Sequence, residues 1–318
     1  MVTPMDDIRL LTKIATLYYK GRLTQEQIAS RLGTSRQTVG RHIKRAEELD
    51  IVEIKIKSPL LFSTELEYAL EKAFQLSEVI VVAPPADTED SIKGTLGEAG
   101  AAFLARRIQK GDIIGISWSS TVLQCAMQLE GADSRQITVV QMNGSLDRTS
   151  YSTRAEYTVD RIAQAFGGTP VMLVAPMLVD RPDIKASLLS DSRIAAALEM
   201  ASKANVALFG VGGVSKQSSL YKTGYLNDAM LKRLKTAGAV GDICGRFFDS
   251  EGKTCIPELD ECTLAVELDR LRSKRLAVAI AGGVHKIDAI LGMLRGRYCN
   301  VLITDHETAE ALVRRATT

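Results

Sequence analysis

From residue 79 onward the chain alternates short apolar runs with amphipathic stretches, and this restricts its fold more than any other feature. The runs are "VIVVAP" (79–84), "DIIGIS" (112–117), "ITVVQM" (137–142), "PVMLVAP" (170–176), "NVALFGVG" (205–212), "LAVAIAGG" (276–283) and "NVLITD" (300–305). Near-continuous apolar runs of this length read as strands buried on both faces. Segments such as "IKGTLGEAGAAFLARRIQ" and "DSRIAAALEMASKA" between them read as helices. Strands alternating with helices predict an α/β fold with a largely parallel sheet covered on both sides.

In such sheets a ligand binds beyond the carboxyl ends of the strands, so the residues that follow each run are the candidate site. "SWSST" follows the second run and brings Ser117, Ser119, Ser120 and Thr121 to the start of a helix. Hydroxyls and free backbone N–H groups at a helix N-terminus suit a phosphate, although ordinary capping needs only one of them. "NGS" (143–145), "GVGG" (210–213) and "AGGVHK" (281–286) follow three other runs, and glycines there allow close backbone approach to a ligand. "GVGG" is not a dinucleotide fingerprint, because Ser215 stands where the third glycine is required. Lys286 follows a glycine pair and suits a phosphate, or is simply solvated. In "AVGDICGRFFDSEGKTC" (239–255), Asp242 suits sugar hydroxyls, with the Cys244 backbone on the same wall, or it is a turn residue. Asp249 to Gly252 reads as a turn closing a hairpin.

The first 58 residues follow a different pattern. Leu11, Ile14, Ala15 and Tyr18 form one helical stripe. Thr24 with Gln27 makes a capping-box pattern, Gly33 suits a sharp turn, and Ser35 caps a third helix. Ile28, Ala29, Leu32, Val39 and Ile43 face inward. Arg36, Gln37, Thr38, Arg41, His42, Lys44 and Arg45 are then the polar residues left to meet base edges and phosphates, with Thr24 and Ser35 at the two helix starts. The charge agrees: residues 1–58 hold eleven Lys/Arg and seven Asp/Glu, and the remainder holds twenty-nine against thirty-one. "DIVEIKIKSP" alternates as a short strand would, either a wing or an exit strand, and Pro59 marks a boundary. Residues 59–77 read as a linker helix and 78–318 as a second domain.

Other classes are disfavoured. No apolar run approaches a membrane span, no secretory signal precedes the first helix, and the five cysteines form no CxxC pair. The three histidines have no ligand spacing, so neither a metal nor another cofactor is expected. A cytoplasmic protein is the expectation.

The segments "LTQEQIASRLGTSRQTVGRHI", "GDIIGISWSST", "VVQMNG", "NVALFGVGG", "VGDICGRFFD", "AGGVHKIDAI" and "NVLITD", in this order, resemble the SorC-type sugar-responsive bacterial transcription regulators. Among these the resemblance is strongest to the deoxyribonucleoside-regulator branch. It implies a helix-turn-helix head and a Rossmann-like effector domain shaped like glucosamine-6-phosphate deaminases and ribose-5-phosphate isomerases. It also implies a phosphorylated sugar as effector, a homodimer or homotetramer on double-stranded operator DNA, and repression as the commoner outcome. Carried over, the "SWSST" hydroxyls hold phosphate, and Asn143, Gly144, Gly212, Asp242, Cys244 and Lys286 line the rest. One position departs: relatives in that branch carry lysine where this chain has Asn143, and an asparagine forms no imine with a sugar aldehyde. Two rival readings are a sugar-phosphate isomerase or deaminase with an added DNA-binding head, and a body that only oligomerises.

Overall fold

The computed structural model describes residues 4–52, 63–131, 134–145 and 154–316. The chain divides into two compact units, Met1–Leu60 and Leu61–Thr318.

The first unit packs α1 (Pro4–Ala15), α2 (Gln25–Leu32) and α3 (Arg36–Glu48) around Leu11, Ile14, Ile28, Ala29, Val39, Ile43 and Ala46. After Ala15 the helix widens into a π turn over Thr16–Lys20. The expected caps are present. The Thr24 hydroxyl accepts the Gln27 N–H at 3.2 Å, and the Gln27 carboxamide accepts the Thr24 N–H at 2.9 Å. Gly33 ends α2 at φ 64°, in the left-handed region that a side chain disfavours. Ser35 accepts the Thr38 N–H at 3.2 Å and starts α3. Of the strand expected within residues 50–59, wing or exit, Ile51 and Val52 are described and lie outside any strand, and the rest, with Pro59, lies outside the described residues.

The second unit contains α4 (Thr64–Phe74), β1 (Glu78–Val82), α5 (Glu89–Arg107), β2 (Ile113–Ile116), α6 (Ser120–Gln128), β3 (Thr138–Gln141), α7 (Ala155–Ala165), β4 (Thr169–Val171), α8 (Pro182–Leu189), α9 (Ser192–Lys203) and β5 (Val206–Phe209). There follow β6 (Gly212–Gly213), α10 (Ser219–Lys222), α11 (Asp228–Thr236), β7 (Gly241–Ile243), β8 (Arg246–Phe248), α12 (Pro257–Asp260), β9 (Leu276–Ile280), α13 (Ile287–Arg295), β10 (Val301–Asp305) and α14 (His306–Ala316). All seven apolar runs enter one parallel sheet of order β1-β10-β9-β5-β2-β3-β4.

Side chains sort by strand period. Ala207, Phe209, Ala277 and Ala279 join one apolar layer, and Val206, Leu208, Leu276, Val278 and Ile280 the other. Both faces are therefore packed, as continuous apolar runs require. The run 170–176 pairs only through Val171. Beyond it the chain leaves the ladder, because the Leu173 N–H turns to the Gln141 carboxamide at 2.8 Å.

Residues 64–74, expected within a linker, form α4 and pack as a layer of the second unit. Leu70 is buried in its core, and Glu67 and Glu71 accept the Val81 and Val79 N–H groups of edge strand β1, each at 2.9 Å. A small antiparallel sheet, β6-β7-β8, adjoins the carboxyl ends of the main strands. Its β7–β8 hairpin closes on Cys244 and Gly245, at φ 55° and 78°, a turn whose two positive φ values fit a two-residue hairpin. The expected turn at Asp249–Gly252 is present one step later, where Phe248 bridges to Thr254.

Candidate functional site

The main sheet reverses its winding between β2 and β5: the chain runs outward from β2 through β3 and β4, then returns to β5 and proceeds to β9 and β10. The crevice beyond the carboxyl ends at such a point is where open α/β sheets hold ligands. It is occupied here by "SWSST" after β2 and "GVGG" after β5. The two loops touch: a methyl on Gly210 would collide with the Ser119 hydroxyl, and one on Gly212 with the Asp242 carboxylate.

A cavity of about 860 Å³ opens at this point. Ser117, Ser119, Ser120, Asn143, Gly212, Asp242, Cys244 and Lys286 all line it. Thr121 and Gly144 do not. Thr121 is buried on the inner side of α6, while the Gly144 N–H bonds to Leu264 and its carbonyl accepts the Trp118 indole N–H at 2.9 Å. Several lining residues were not foreseen: Trp118, His285, Asp305, His306 and the stretch from Gln217 to Ser219, whereas Gly210 belongs to the "GVGG" loop already singled out. "SKQSS" after the "GVGG" loop was a polar signal available for that stretch. Trp118 was a gap within the quoted motif, and it stacks on Tyr225 with ring centroids 6.3 Å apart.

Part of the lining favours anions. The N-terminus of α6 opens on the cavity, and Ser119 caps that helix by accepting the Thr121 N–H at 3.2 Å, which leaves its hydroxyl hydrogen free to donate. Lys286 adds a cation at the start of α13. Burial, and then the neighbouring Lys93, hold its ammonium below the ordinary lysine value.

Other lining residues offer acceptors. Asp242 is buried in β7, and its Oδ2 accepts the Gly245 N–H at 3.0 Å. Burial pushes its carboxyl up to about 6, against the opposing pull of that N–H and of Lys286. Asn143 is 1% exposed, and its Oδ1 has no hydrogen-bond partner among the described residues. Burial pushes the Cys244 thiol up to about 12, so it is neutral beside Ser117. Arg246 fixes this wall from behind. It is fully buried, donates to the Val266 and Ala265 carbonyls at 3.0 and 2.9 Å, and pairs with Glu267 at 2.7 Å.

In the first unit Arg36, Gln37, Arg41 and Lys44 are exposed along one side of α3, while Thr38 and His42 are half-buried. Four candidates are already engaged: Arg45 pairs with Asp7 at 3.2 Å, Lys44 lies 3.9 Å from Glu48, Thr38 hydrogen-bonds Ser35 at 2.9 Å, and Arg41 donates to the Thr38 hydroxyl at 3.4 Å. Thr24 and Ser35 are exposed at the two helix starts, with their oxygens used in capping.

Comparison with known proteins bears on both units. Residues 58–314 match the sugar-binding domain family (Sugar-bind), and residues 14–53 match a winged helix-turn-helix DNA-binding model. The chain is 37% identical over 305 residues to the deoxyribonucleoside regulator of Bacillus subtilis (strain 168), covering 96% of this chain and 97% of that one. It is 33% identical over 317 residues to the sorbitol operon regulator of Klebsiella pneumoniae, covering 97% and 99%. The crystal structure of that full-length regulator, SorC, superposes with a TM-score of 0.76 at the same 33% identity and the same coverage of both chains.

Proposed function

This chain belongs to the SorC-type family of sugar-binding transcriptional regulators, and we propose that it is a repressor released from operator DNA by a phosphorylated sugar bound in the cavity of residues 78–318. The carrying observation is that one cavity, at the point where the sheet reverses its winding, is lined both by a helix start with Lys286 that favours an anion and by the acceptors Asn143 and Asp242. The phosphate lies against the α6 N-terminus, Ser119, Ser120 and Lys286. The sugar hydroxyls lie against Asn143, Asp242 and the Cys244 turn, with Ser117 and Gly212 beside them. Residues 1–58 carry the output, with Arg36, Gln37, Arg41 and Lys44 reaching base edges and phosphates in the major groove. A homodimer or homotetramer presents paired recognition helices to a pseudo-palindromic site. The effector must favour one arrangement of that assembly over another, or it shifts nothing.

The test is a thermal-shift screen of the full chain against sugar phosphates, followed by binding to DNA from upstream of its own gene. A ligand at 100 times its Kd adds roughly 2.7 kcal/mol and weakens DNA binding. Arg41→Ala weakens DNA binding and lowers its salt slope by about one. Turnover of a sugar phosphate that is abolished by Asp242→Ala would overturn the regulator-only reading.

A further inference from the structure

Asn143 stands just beyond β3, and its backbone is held firmly. It bridges to Ala265, Met142 on one side donates to the Ile116 carbonyl at 2.8 Å, and Gly144 on the other donates to the Leu264 carbonyl at 3.1 Å. Among the described residues the side chain has one hydrogen bond, from Nδ2 to the Met177 sulfur at 3.5 Å. A thioether only accepts. The amide is therefore oriented with its nitrogen on Met177 and its oxygen directed elsewhere. That oxygen is buried, lacks a partner among the described residues, and belongs to a residue lining the cavity.

The same methionine locates Asn143 relative to Asp242. Met177 packs against Gly245, 2.8 Å from where a Cβ would stand, and the Gly245 N–H is the donor to Asp242 Oδ2. Asn143 and Asp242 thus flank one hairpin turn, and both offer acceptors there. A ligand carbonyl brings only a further acceptor to this wall, whereas a hydroxyl brings the donor it requires. A site built to pair a hydroxyl discriminates strongly against an analogue that lacks one, because the buried acceptor is then left unpaired.

We propose that Asn143 determines effector specificity by reading a hydroxyl group. Together with Asp242 it selects a sugar phosphate that presents hydroxyls to the Cys244–Gly245 turn, as a polyol or a closed ring, over an open-chain carbonyl. This rests on the reading of the cavity as a sugar-phosphate site.

The experiment measures binding of the full chain by calorimetry. The first probes are ribitol 5-phosphate, an open polyol, and ribose 5-phosphate, a closed ring. The third is ribulose 5-phosphate, which cannot close through its phosphorylated oxygen and keeps its ketone. Glucitol 6-phosphate and glucose 6-phosphate form a second pair. Hydroxyl forms bind at least tenfold more tightly than ribulose 5-phosphate, and the ranking of polyol against ring tells which of the two is read. Asn143→Leu lowers affinity for the better hydroxyl form roughly tenfold and removes the preference, while binding of inorganic phosphate stays within twofold. Asn143→Ser, which adds no bulk, shows the same loss and guards against misfolding of the leucine variant. Tighter binding of ribulose 5-phosphate, a lysine adduct with it trapped by borohydride, or unchanged affinity in both variants overturns the inference and leaves the sugar-phosphate site standing. Binding of none of the five sugar phosphates overturns that site as well.

Discussion

Asp112 and Asn205 stand at the amino ends of β2 and β5, and Asn143 and Asp242 stand beyond the carboxyl ends. At the amino end every polar atom of the pair is used. Asp112 accepts from Asn205 Nδ2 at 2.7 Å, from the Gln109 N–H at 2.7 Å and from Arg275 at 2.6 Å, while Asn205 Oδ1 accepts the Ile113 N–H at 2.8 Å. At the carboxyl end the Asn143 oxygen has no partner among the described residues, and Asp242 sits buried enough to raise its pKa. The residue types are the same, so side-chain chemistry alone does not mark the site. Position within that end is not sufficient either. Asp305 lines the cavity, yet it takes the Gly283 N–H at 2.7 Å and the Thr308 N–H at 3.0 Å, with the Thr308 hydroxyl as a third donor. What sets Asn143 and Asp242 apart from Asp112, Asn205 and Asp305 is hydrogen-bonding capacity left open at the cavity after folding, which the proposed role requires.

The largest effect should come from breaking the closed end. Asp112→Ala strands an amide, a carboxamide and Arg275, which is itself a third exposed. Loss of about 3 kcal/mol in the stability of the second unit is expected. Trp118 is the chain's single tryptophan, so its fluorescence during urea unfolding reports this unit. The stabilisation given by a saturating sugar phosphate should persist. If that increment vanished with the stability, the two ends would not be independent and the contrast would fail.

A second effect, of similar or smaller size, has the opposite sign. The Asp242 carboxyl is raised from 3.8 to about 6 by burial. In the folded chain it therefore keeps its proton over a range where the unfolded chain has lost it. Stability falls as pH rises from about 4 to about 6 and is flat above. Asp242→Asn removes this cost. The variant should match the parent near pH 4 and exceed it by roughly 2–3 kcal/mol at pH 7, while losing response to effector. A site residue that costs stability when free is the usual trade of stability for function. A destabilised variant at pH 7 would instead place Asp242 with Asp112 among the structural residues.

The sheet was legible because burial on both faces leaves long apolar runs, and the cavity's position follows from where such runs end. The head was legible because capping and turn residues act over three or four positions, as Thr24, Gln27 and Gly33 do. Features made by distant contacts were not legible. The Cys244–Gly245 turn was hidden because cysteine is no turn signal, and its left-handed φ is imposed by the β7–β8 pairing. Thr121 was misplaced because helix geometry turns it inward one step after Ser120. Gly144 was misplaced because Trp118 and Leu264 consume its backbone groups. The orphaned Asn143 oxygen depends on Met177, thirty-four residues away.

Ser119 gives the smallest and most discriminating effect, since it belongs to both categories. Its oxygen caps α6, which leaves its hydroxyl hydrogen free to donate, and the residue lines the cavity. Replacing an N-cap serine by alanine costs about 1 kcal/mol, and by glycine only a few tenths. Ser119→Ala and Ser119→Gly should therefore differ in the unfolding of the second unit. Their loss of affinity for inorganic phosphate should be equal, because both remove the same donor. If phosphate affinity instead tracks stability across the two variants, Ser119 acts only by holding the helix start in place. The phosphate contacts would then rest on the α6 backbone, Ser120 and Lys286.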